Sequence, residues 1–489
     1  MRTITEPVKQ IRVVAEVDVV VAGAGVSGVF AGIAAARAGA RTMVIDRFGS
    51  VGGNIGPGMI VNGGMLPGSP HRDVGHERTV YPGSYGIARE FIHRYAELGG
   101  GGLQPYQSGA ADRAGDASIA SYLAQRMLEE AGASLLLSTT VADPVMEGNR
   151  VCGVFVENKS GRGAVLARVV IDGTGEADVA KRAGAPMLYP KAEYHEVDGH
   201  SPTGAGIFFL VGGVDWDRYQ CAMNDTPTDS DDYRWAVETL GEGGASRARA
   251  VLAPLRAAYE SGDYRLGRTV TLDGAEICIT ASYSGPIRNS DTVQGRGAPD
   301  RTRKELDVGN AEHVSILEAA TRAEIFEMWH FWKRHAPGFE NSSLLCIAPF
   351  YGVRGGPCIE GDYTLTMDDC RAGRLFDDVI YRYGEFRALR WTAENGGVKW
   401  VDVPYRVMLP KTIDGLLCTG RSASGKPDTL LRNRWAVKIM GEACGRAAAL
   451  AAEQNIMPRE INIKQLQTRL LDAGFHLGDR HRLRELDLI

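Results

Sequence analysis

Residues Val19 to Asp46 read Val-Val-Val-Ala-Gly-Ala-Gly-Val-Ser-Gly-Val-Phe-Ala-Gly-Ile-Ala-Ala-Ala-Arg-Ala-Gly-Ala-Arg-Thr-Met-Val-Ile-Asp. A β-branched run, Val19 to Val21, leads into Gly23, Gly25 and Gly28. An Ala-rich helical stretch follows, and a second β-rich run from Thr42 to Ile45 ends on Asp46. Strand, G-x-G-x-x-G, helix, strand and acid in that order predict a βαβ unit that binds a dinucleotide. Gly23 allows the tight turn, Gly25 lets the backbone approach a pyrophosphate, and Gly28 lets helix and strand pack closely. The helix N-terminus offers free N–H groups and its dipole to the anion. Asp46 lies 18 positions after Gly28, where a carboxylate accepts hydrogen bonds from a ribose diol. Three spaced glycines alone are weak evidence; the flanking strand, helix and acid make the pattern specific.

A chain of 489 residues is long enough for about two or three domains. Its 44% hydrophobic and 24% charged residues are ordinary for a soluble globular protein. A net charge of −5 provides no basic field for nucleic acid or an anionic membrane. Cysteines stand at 152, 221, 278, 346, 358, 370, 418 and 444, with no C-x-x-C among them. That argues against zinc, an iron–sulfur cluster or a thioredoxin-type pair, and fits mostly buried thiols in a reducing compartment, so a cytoplasmic protein is expected. Lys9 and Arg12 precede an apolar stretch that imitates a signal peptide, but Glu16 and Asp18 interrupt it and the same residues are needed for the first strand. No uninterrupted apolar run reaches about 18 residues, so no membrane span is expected.

Outward from the fingerprint, Arg47 to Gly58 is a loop too rich in glycine for helix or strand; its backbone either lies against a flat ligand or forms a surface turn. Residues 63–112 are rich in Gly, Pro and Tyr and carry His71, His76 and His93. Ser118 to Ala131 reads as a helix, and Ser134 to Val141 as a strand. Arg150 to Glu157 and Ala164 to Ile171 read as a hairpin around Lys159-Ser-Gly-Arg-Gly. The second hairpin strand runs into Gly173-Thr-Gly175, placing bare backbone at a strand's C-terminal end, where open α/β sheets bind ligands. From about 200 to 345 the texture changes: a strand at Gly206 to Gly213, helix over 231–261, β-structure at Thr269 to Ser282 and a long helix from Asn310 to His335. No second G-x-G-x-x-G with its strand and helix occurs there, so this part reads as an inserted α+β substrate or cap domain. The nucleotide pattern resumes with Gly415-Leu-Leu-Cys-Thr-Gly-Arg-Ser and an Ala/Gly-rich helix from about Arg434 to Glu453. Residues 456–489 form a charged, helical tail. The expected division is 16–199 for the first part of the nucleotide domain, 200–345 for the cap, 346–455 for the second part and 456–489 for the tail.

Together with Gly52-Gly53, Ile171-Asp-Gly-Thr-Gly-Glu-Ala-Asp, Pro337-Gly-Phe-Glu-Asn, Gly352-Val-Arg, Gly361-Asp-Tyr-Thr-Leu-Thr, Val403-Pro-Tyr-Arg, Gly420-Arg421 and Gly441-Glu-Ala-Cys-Gly, the chain resembles the FAD-dependent oxidoreductases whose flavin domain is shared with glutathione reductase and fumarate reductase flavoproteins. The resemblance runs over nearly the whole length, to the tail segment Pro458-Arg-Glu-Ile-Asn-Ile-Lys-Gln-Leu-Gln. It implies an α/β fold, a glutathione-reductase-like FAD-binding Rossmann domain with the cap inserted, and FAD as cofactor. It further implies that Gly23, Gly25, Val26, Ser27 and Gly28 meet the pyrophosphate, that Asp46 and Arg47 meet the adenosine end, and that Gly53, Asn54 and the backbone at Val141 contact the cofactor. Gly175 is implied near the pyrophosphate. Gly420, Arg421 and the last helix, with Arg434 and Ala443, are implied near the ribityl chain and pyrimidine edge. A helix N-terminus or cation there stabilises the negative charge of reduced flavin. Arg434 reads equally as the partner of a nearby carboxylate.

Two departures bear on the substrate side. The family follows Gly-Val-Arg with a Glu-Thr-Arg-Arg-like run, but here Arg354 precedes Gly355-Gly-Pro-Cys358. After Gly420-Arg421 the family places an acidic, His-containing segment, where this chain has Gly425-Lys-Pro-Asp428. The small residues after Arg354 predict a wider, less cationic pocket and a substrate larger or less anionic than a dicarboxylate such as fumarate. Arg354 is the leading active-site candidate, since a guanidinium clamps a carboxylate or stabilises a developing oxyanion; its other reading is a structural ion pair. Tyr351 and Tyr405 are candidate proton donors or packing tyrosines. His71 and His76 are candidate general bases or surface histidines. His330 and His335 read as packing or helix-end charge. The expected activity is hydride exchange between flavin N5 and a small organic substrate, with an electron acceptor the sequence does not identify. The alternatives are a non-catalytic FAD-binding or electron-transfer subunit and a flavin monooxygenase; the absence of a cysteine cluster, the large cap and Gly420-Arg421 in place of a Gly-Asp segment weigh against them. A homo-oligomer is compatible with the sequence.

Overall fold

Strand β1 (Arg12–Ala22) ends in Val19-Val-Val-Ala22, all buried, a continuous apolar run of the kind needed by a parallel strand covered on both faces. A computed structural model describes residues 2–5, 7–60, 86–100, 116–189, 206–287, 290–299, 308–383, 401–426, 430–432 and 434–489. In it β1 is central to a sheet that also contains β2 (Thr42–Ile45), β3 (Ser134–Leu136), β4 (Thr140–Glu147), β5 (Arg150–Asn158) and β6 (Gly161–Asp172), in the order β3-β2-β1-β6-β5-β4. The first four of that order run parallel, β4 and β5 antiparallel to each other, and β5 antiparallel to β6. A late strand, Leu416–Cys418, joins in parallel beside the C-terminal end of β6. Register aligns Ala22 with Ile45 and Asp172, and Asp172 with Cys418. Gly23, Asp46, Gly173 and Thr419 therefore leave the sheet side by side along its carboxyl edge.

Helix α1 (Val26–Arg37) is buried from Ser27 to Ala35 because it is covered on all sides. The sheet lies on one side, α2 (Gly86–Glu97) and α3 (Ala117–Glu130) on another, and the C-terminal helix Arg434–Gln454 against the rest. Small residues set that last contact: a Cβ on Gly441 would stand 2.2 Å from the Ser27 carbonyl oxygen, so the helices meet backbone to backbone. Glu442 of the same helix accepts the Ile87 N–H at 2.7 Å and caps α2.

The cap is a five-stranded antiparallel sheet, Ile207–Gly212, Arg268–Leu272, Ala275–Pro286, Val293–Pro299 and Ser343–Ile347, backed by the helix Ala311–His335. Its core is aromatic, with Tyr264 stacked on Phe331 at 4.6 Å and Phe339 against Tyr219 and Tyr283. Strand Ser343–Ile347 belongs to this sheet and crosses the boundary expected at 345. Three further elements differ from expectation. The helix expected over 231–261 is two helices, the first kinked at Gly241 with φ 72°. The strand expected from Ser134 to Val141 breaks at Ser138, φ 51°, where Ser138 and Thr139 donate N–H bonds to the Phe48 and Asp46 carbonyls. The Gly-rich loop after Asp46 holds one 3-10 turn, Gly53–Ile55. The tail, expected to be helical, consists of a 3-10 turn, Pro458–Glu460, and two short helices, Ile463–Asp472 and Arg480–Glu485.

Candidate active site

The fingerprint turn is built as its glycines require. Gly23 has φ 96° and lies on the Gly173 carbonyl, and a Cβ on Gly28 would stand 1.9 Å from the Gly23 oxygen, so residue 28 can only be glycine. At Gly25 a Cβ would meet only the Gly173 oxygen, at 3.6 Å, an ordinary contact. Gly25 is the N-cap of α1 and no side chain caps the helix. Gly53 closes the turn from above, its own Cβ direction blocked by Gly25 Cα at 2.8 Å, and Gly52 donates to the Ala24 carbonyl at 2.8 Å. Among buried neighbours, Gly23, Gly25, Val26, Gly53, Asn54, Thr174 and Gly175 keep partial access to solvent, forming a strip of backbone along the carboxyl edge of the sheet. An uncapped helix start and a glycine-rich strip fit the pyrophosphate of a dinucleotide. Asp46 is buried at the end of the strip, accepting N–H bonds from Ala24 at 2.7 Å and Phe48 at 2.8 Å. Burial raises its pKa above the ordinary carboxylate value, against those two bonds. Arg47 is exposed, its guanidinium over the stacked rings of Phe48 and Phe350.

Residues Gly173–Ala177 hold less free backbone than the sequence suggests. Asp172, fully buried, accepts from Thr174 N–H and hydroxyl, Val179 N–H and Ala180 N–H, and burial pushes its pKa up to about 6. Ser422 Oγ accepts the N–H groups of Gly175 and Ala177 at 3.2 and 3.0 Å. These donors are spent within the chain, whereas no side chain caps the start of α1.

The run 348–361 leads from the cap back to the nucleotide domain and meets the strip at Asn54. The long cap helix grips it: Glu318 accepts the Tyr351 N–H at 3.0 Å, and Arg322 donates to the Pro349 carbonyl at 2.8 Å. Gly352 pairs with Gly206 of the cap and packs on Ile60 and Asn54. Gly361 N–H donates to Ser424 Oγ at 3.1 Å. Arg354, half-buried, thus stands in a segment that touches the cap, the Gly53–Ile60 loop and the Gly420–Gly425 turn. Arg421 in that turn forms an ion pair with Glu176.

The other sequence candidates divide. Gly420 meets the start of α1 through Ser27, so the late strand does return to the fingerprint. Tyr351 is buried, its hydroxyl shared with Thr321 and aimed at the Leu317 carbonyl within the cap, and its pKa is pushed up to about 12 by burial; this is the packing reading, not that of a donor facing the strip. Tyr405 is likewise buried and donates to the Pro458 carbonyl at 2.9 Å. His330 stacks on Phe326, and His335 packs at a tilt against Phe331. The Val141 carbonyl accepts from Arg182 at 3.1 Å. Ala443 corrects the sequence expectation: it is wholly buried in the apolar core well inside the last helix, so it does not front a ligand. At Gly356 the Arg421 guanidinium occupies the room a side chain would take, Nη1 lying 2.5 Å from where a Cβ would stand. His71, His76 and the Arg434 side chain lie outside the described residues. Sequence reasoning missed Asp172, whose partners are local, and Glu176, Glu318 and Ser422, which act through contacts far apart in the chain.

Among the described residues no group of three or more His, Cys, Asp or Glu is placed to hold a metal, and no helix is long and apolar enough to cross a membrane. Four cysteines are buried and Cys221, Cys278 and Cys346 are exposed.

A family model described as FAD dependent oxidoreductase matches residues 18–470. No curated protein matches the chain. Solved structures with a similar course of chain include a geranylgeranyl bacteriochlorophyll reductase-like protein from Thermoplasma acidophilum, 14% identical over 97% of this chain and 88% of that one with a TM-score of 0.40. A myxobacterial chondrochloren halogenase is 10% identical over 97% and 89%, TM-score 0.42. A flavoprotein/dehydrogenase from Cytophaga hutchinsonii is 13% identical over 96% and 84%, TM-score 0.39. Likenesses this remote transfer no reaction to this chain. The family match covers nearly all of the sequence, and the strip at the carboxyl edge fits the cofactor: the chain belongs to the FAD dependent oxidoreductase family, with FAD as its cofactor.

Proposed function

We propose that the protein exchanges a hydride with a small organic substrate bound against the run 351–358, with Arg354 as the residue that orients the substrate and stabilises its developing charge. The observation that supports this reading is the contact of that run with the accessible loop at Asn54 through Gly352, two residues before Arg354, in a segment gripped by the cap at Tyr351. FAD, when bound, supplies the hydride-accepting and hydride-donating chemistry. The start of α1 and the glycines beside it would hold its pyrophosphate, and buried Asp46 would face its adenosine end. Arg354 keeps its charge at any working pH, so its work is to clamp a carboxylate or steady an enolate or oxyanion rather than to move a proton. Gly352 packs closely on Ile60 and Asn54 beside that place. An anaerobic screen of the purified protein for compounds that bleach its flavin, or that reoxidise it after chemical reduction, tests the reading. A small organic compound that does so with saturable kinetics supports it; a flavin that responds only to a protein electron carrier overturns it.

A further inference from the structure

We propose that Arg421 is a positioning residue for the substrate side of the site, a strut that fixes the run 351–358 against the cofactor-side loop at Gly175. The proposal rests on the reading of Arg354 above for its consequence, but not for its geometry. The guanidinium lies between two glycines from different parts of the chain. A Cβ on Gly356 would stand 2.5 Å from Nη1, and one on Gly175 would stand 3.3 Å from Nη2. Glu176 pairs with Nη2, and the side chain of Arg421 is only 12% exposed. The next residue, Ser422, holds the N–H groups of Gly175 and Ala177, so one turn grips the cofactor-side loop through Ser422 and meets the crossing run through Arg421.

This geometry accounts for the unusual run after Arg354. A side chain at 356 and a guanidinium at 421 exclude each other, so a bulky charged run there cannot coexist with Arg421 in this seat. The fit is also one bond short. Nη1 is buried and has no hydrogen-bond partner among the described residues. An unpaired buried donor is costly, and Nη1 meets the run that carries Arg354 by packing at Gly356 rather than by a hydrogen bond.

The test uses the full-length, FAD-containing protein and four variants: Arg421→Met, Gly356→Ala, the two combined, and Glu176→Gln as the mildest change. Hydrogen exchange of peptides covering 351–358 is measured together with the visible circular dichroism of the bound flavin. Arg421→Met and Gly356→Ala are each expected to speed exchange in this run by about tenfold, and Glu176→Gln by less, with exchange in β1 unchanged. The combined variant is expected to be no worse than Arg421→Met alone, because the collision disappears with the guanidinium, and to show the same altered dichroism. Exchange within about twofold of the parent in both Arg421→Met and Glu176→Gln, or independent multiplying effects of the two single changes, overturns the proposal. None of these readouts involves turnover, so a failure of the Arg354 reading leaves the result intact, and a failure here leaves Arg354 to be judged by its own substitution.

Discussion

The Asp46 carboxylate accepts the backbone N–H of Ala24 at 2.7 Å, so the acid that ends β2 also holds the middle of the fingerprint turn. Its second oxygen accepts Phe48 N–H. In Asp46→Asn one of these donors faces an amide N–H instead, a loss of about 1–3 kcal/mol that corresponds to roughly 5- to 150-fold. FAD affinity is expected to fall within that range, measured by fluorescence titration of apoprotein. Because burial raises the Asp46 pKa, protonation removes the acceptor at a higher pH than for an ordinary carboxylate, so FAD release on acidification is expected to begin at a higher pH in the parent than an ordinary carboxylate would set. An affinity within about threefold of the parent would show that Asp46 does not hold the turn.

Glu324 of the cap helix is buried, accepts the Gly267 N–H at 3.1 Å through Oε1, and has no partner for Oε2 among the described residues. Burial pushes its pKa up to about 8. The folded pKa lies above the unfolded one, so the folded chain retains the proton longer. Its contribution is therefore most favourable below pH ~4 and is lost as pH rises toward 8, at up to about 1.4 kcal/mol per pH unit. Glu324→Gln keeps the Gly267 bond and removes this slope. Urea unfolding at pH 5.5 and 8.5 is expected to show the variant gaining on the parent at the higher pH; an equal change in both proteins contradicts the assignment.

Arg354→Ala is expected to keep FAD and the fold while losing about 2–4 kcal/mol of transition-state stabilisation, the range for removing one charge-stabilising donor. The measurement is kcat/KM with the compound that reduces the flavin. Turnover within about threefold of the parent returns Arg354 to a structural ion pair.

The cap strands are all antiparallel neighbours, so among the described residues the cap contains no parallel βαβ unit for a second dinucleotide. Reduction of the flavin by NADH or NADPH is expected to be slow beside reduction by the organic substrate. Rapid, saturable reduction by either nicotinamide in a stopped-flow experiment contradicts this.

What the sequence made legible was local. The fingerprint, the hairpin of β5 and β6, the late strand and the long cap helix each carry their own periodicity or turn chemistry, and each forms where that chemistry puts it. The role of Gly28 followed from spacing alone. Contacts between distant side chains left no such trace: nothing near Ser422 in the chain signals that its hydroxyl takes the N–H groups of Gly175 and Ala177, and nothing near Gly356 announces Arg421. The backbone after Asp172 looked bare because the Ser422 hydroxyl that takes two of its N–H groups lies far along the chain. The choice between the donor and packing readings of Tyr351 stayed open because Thr321, thirty residues earlier, was not visible as its neighbour.

The account stands most directly on what occupies the space in front of Gly25. The chain itself leaves that space open, since a Cβ there would meet only the Gly173 oxygen at 3.6 Å, whereas one at Gly28 would strike the Gly23 oxygen at 1.9 Å. FAD content per chain, measured with the unfolding transition, separates the two positions. Gly25→Val is expected to fold with the transition of the apoprotein and to bind FAD at least about tenfold more weakly, while Gly28→Val loses both fold and flavin. A Gly25→Val protein that is purified as yellow as the parent, with one FAD per chain, or a parent that is colourless and takes up NAD in place of FAD, contradicts the account.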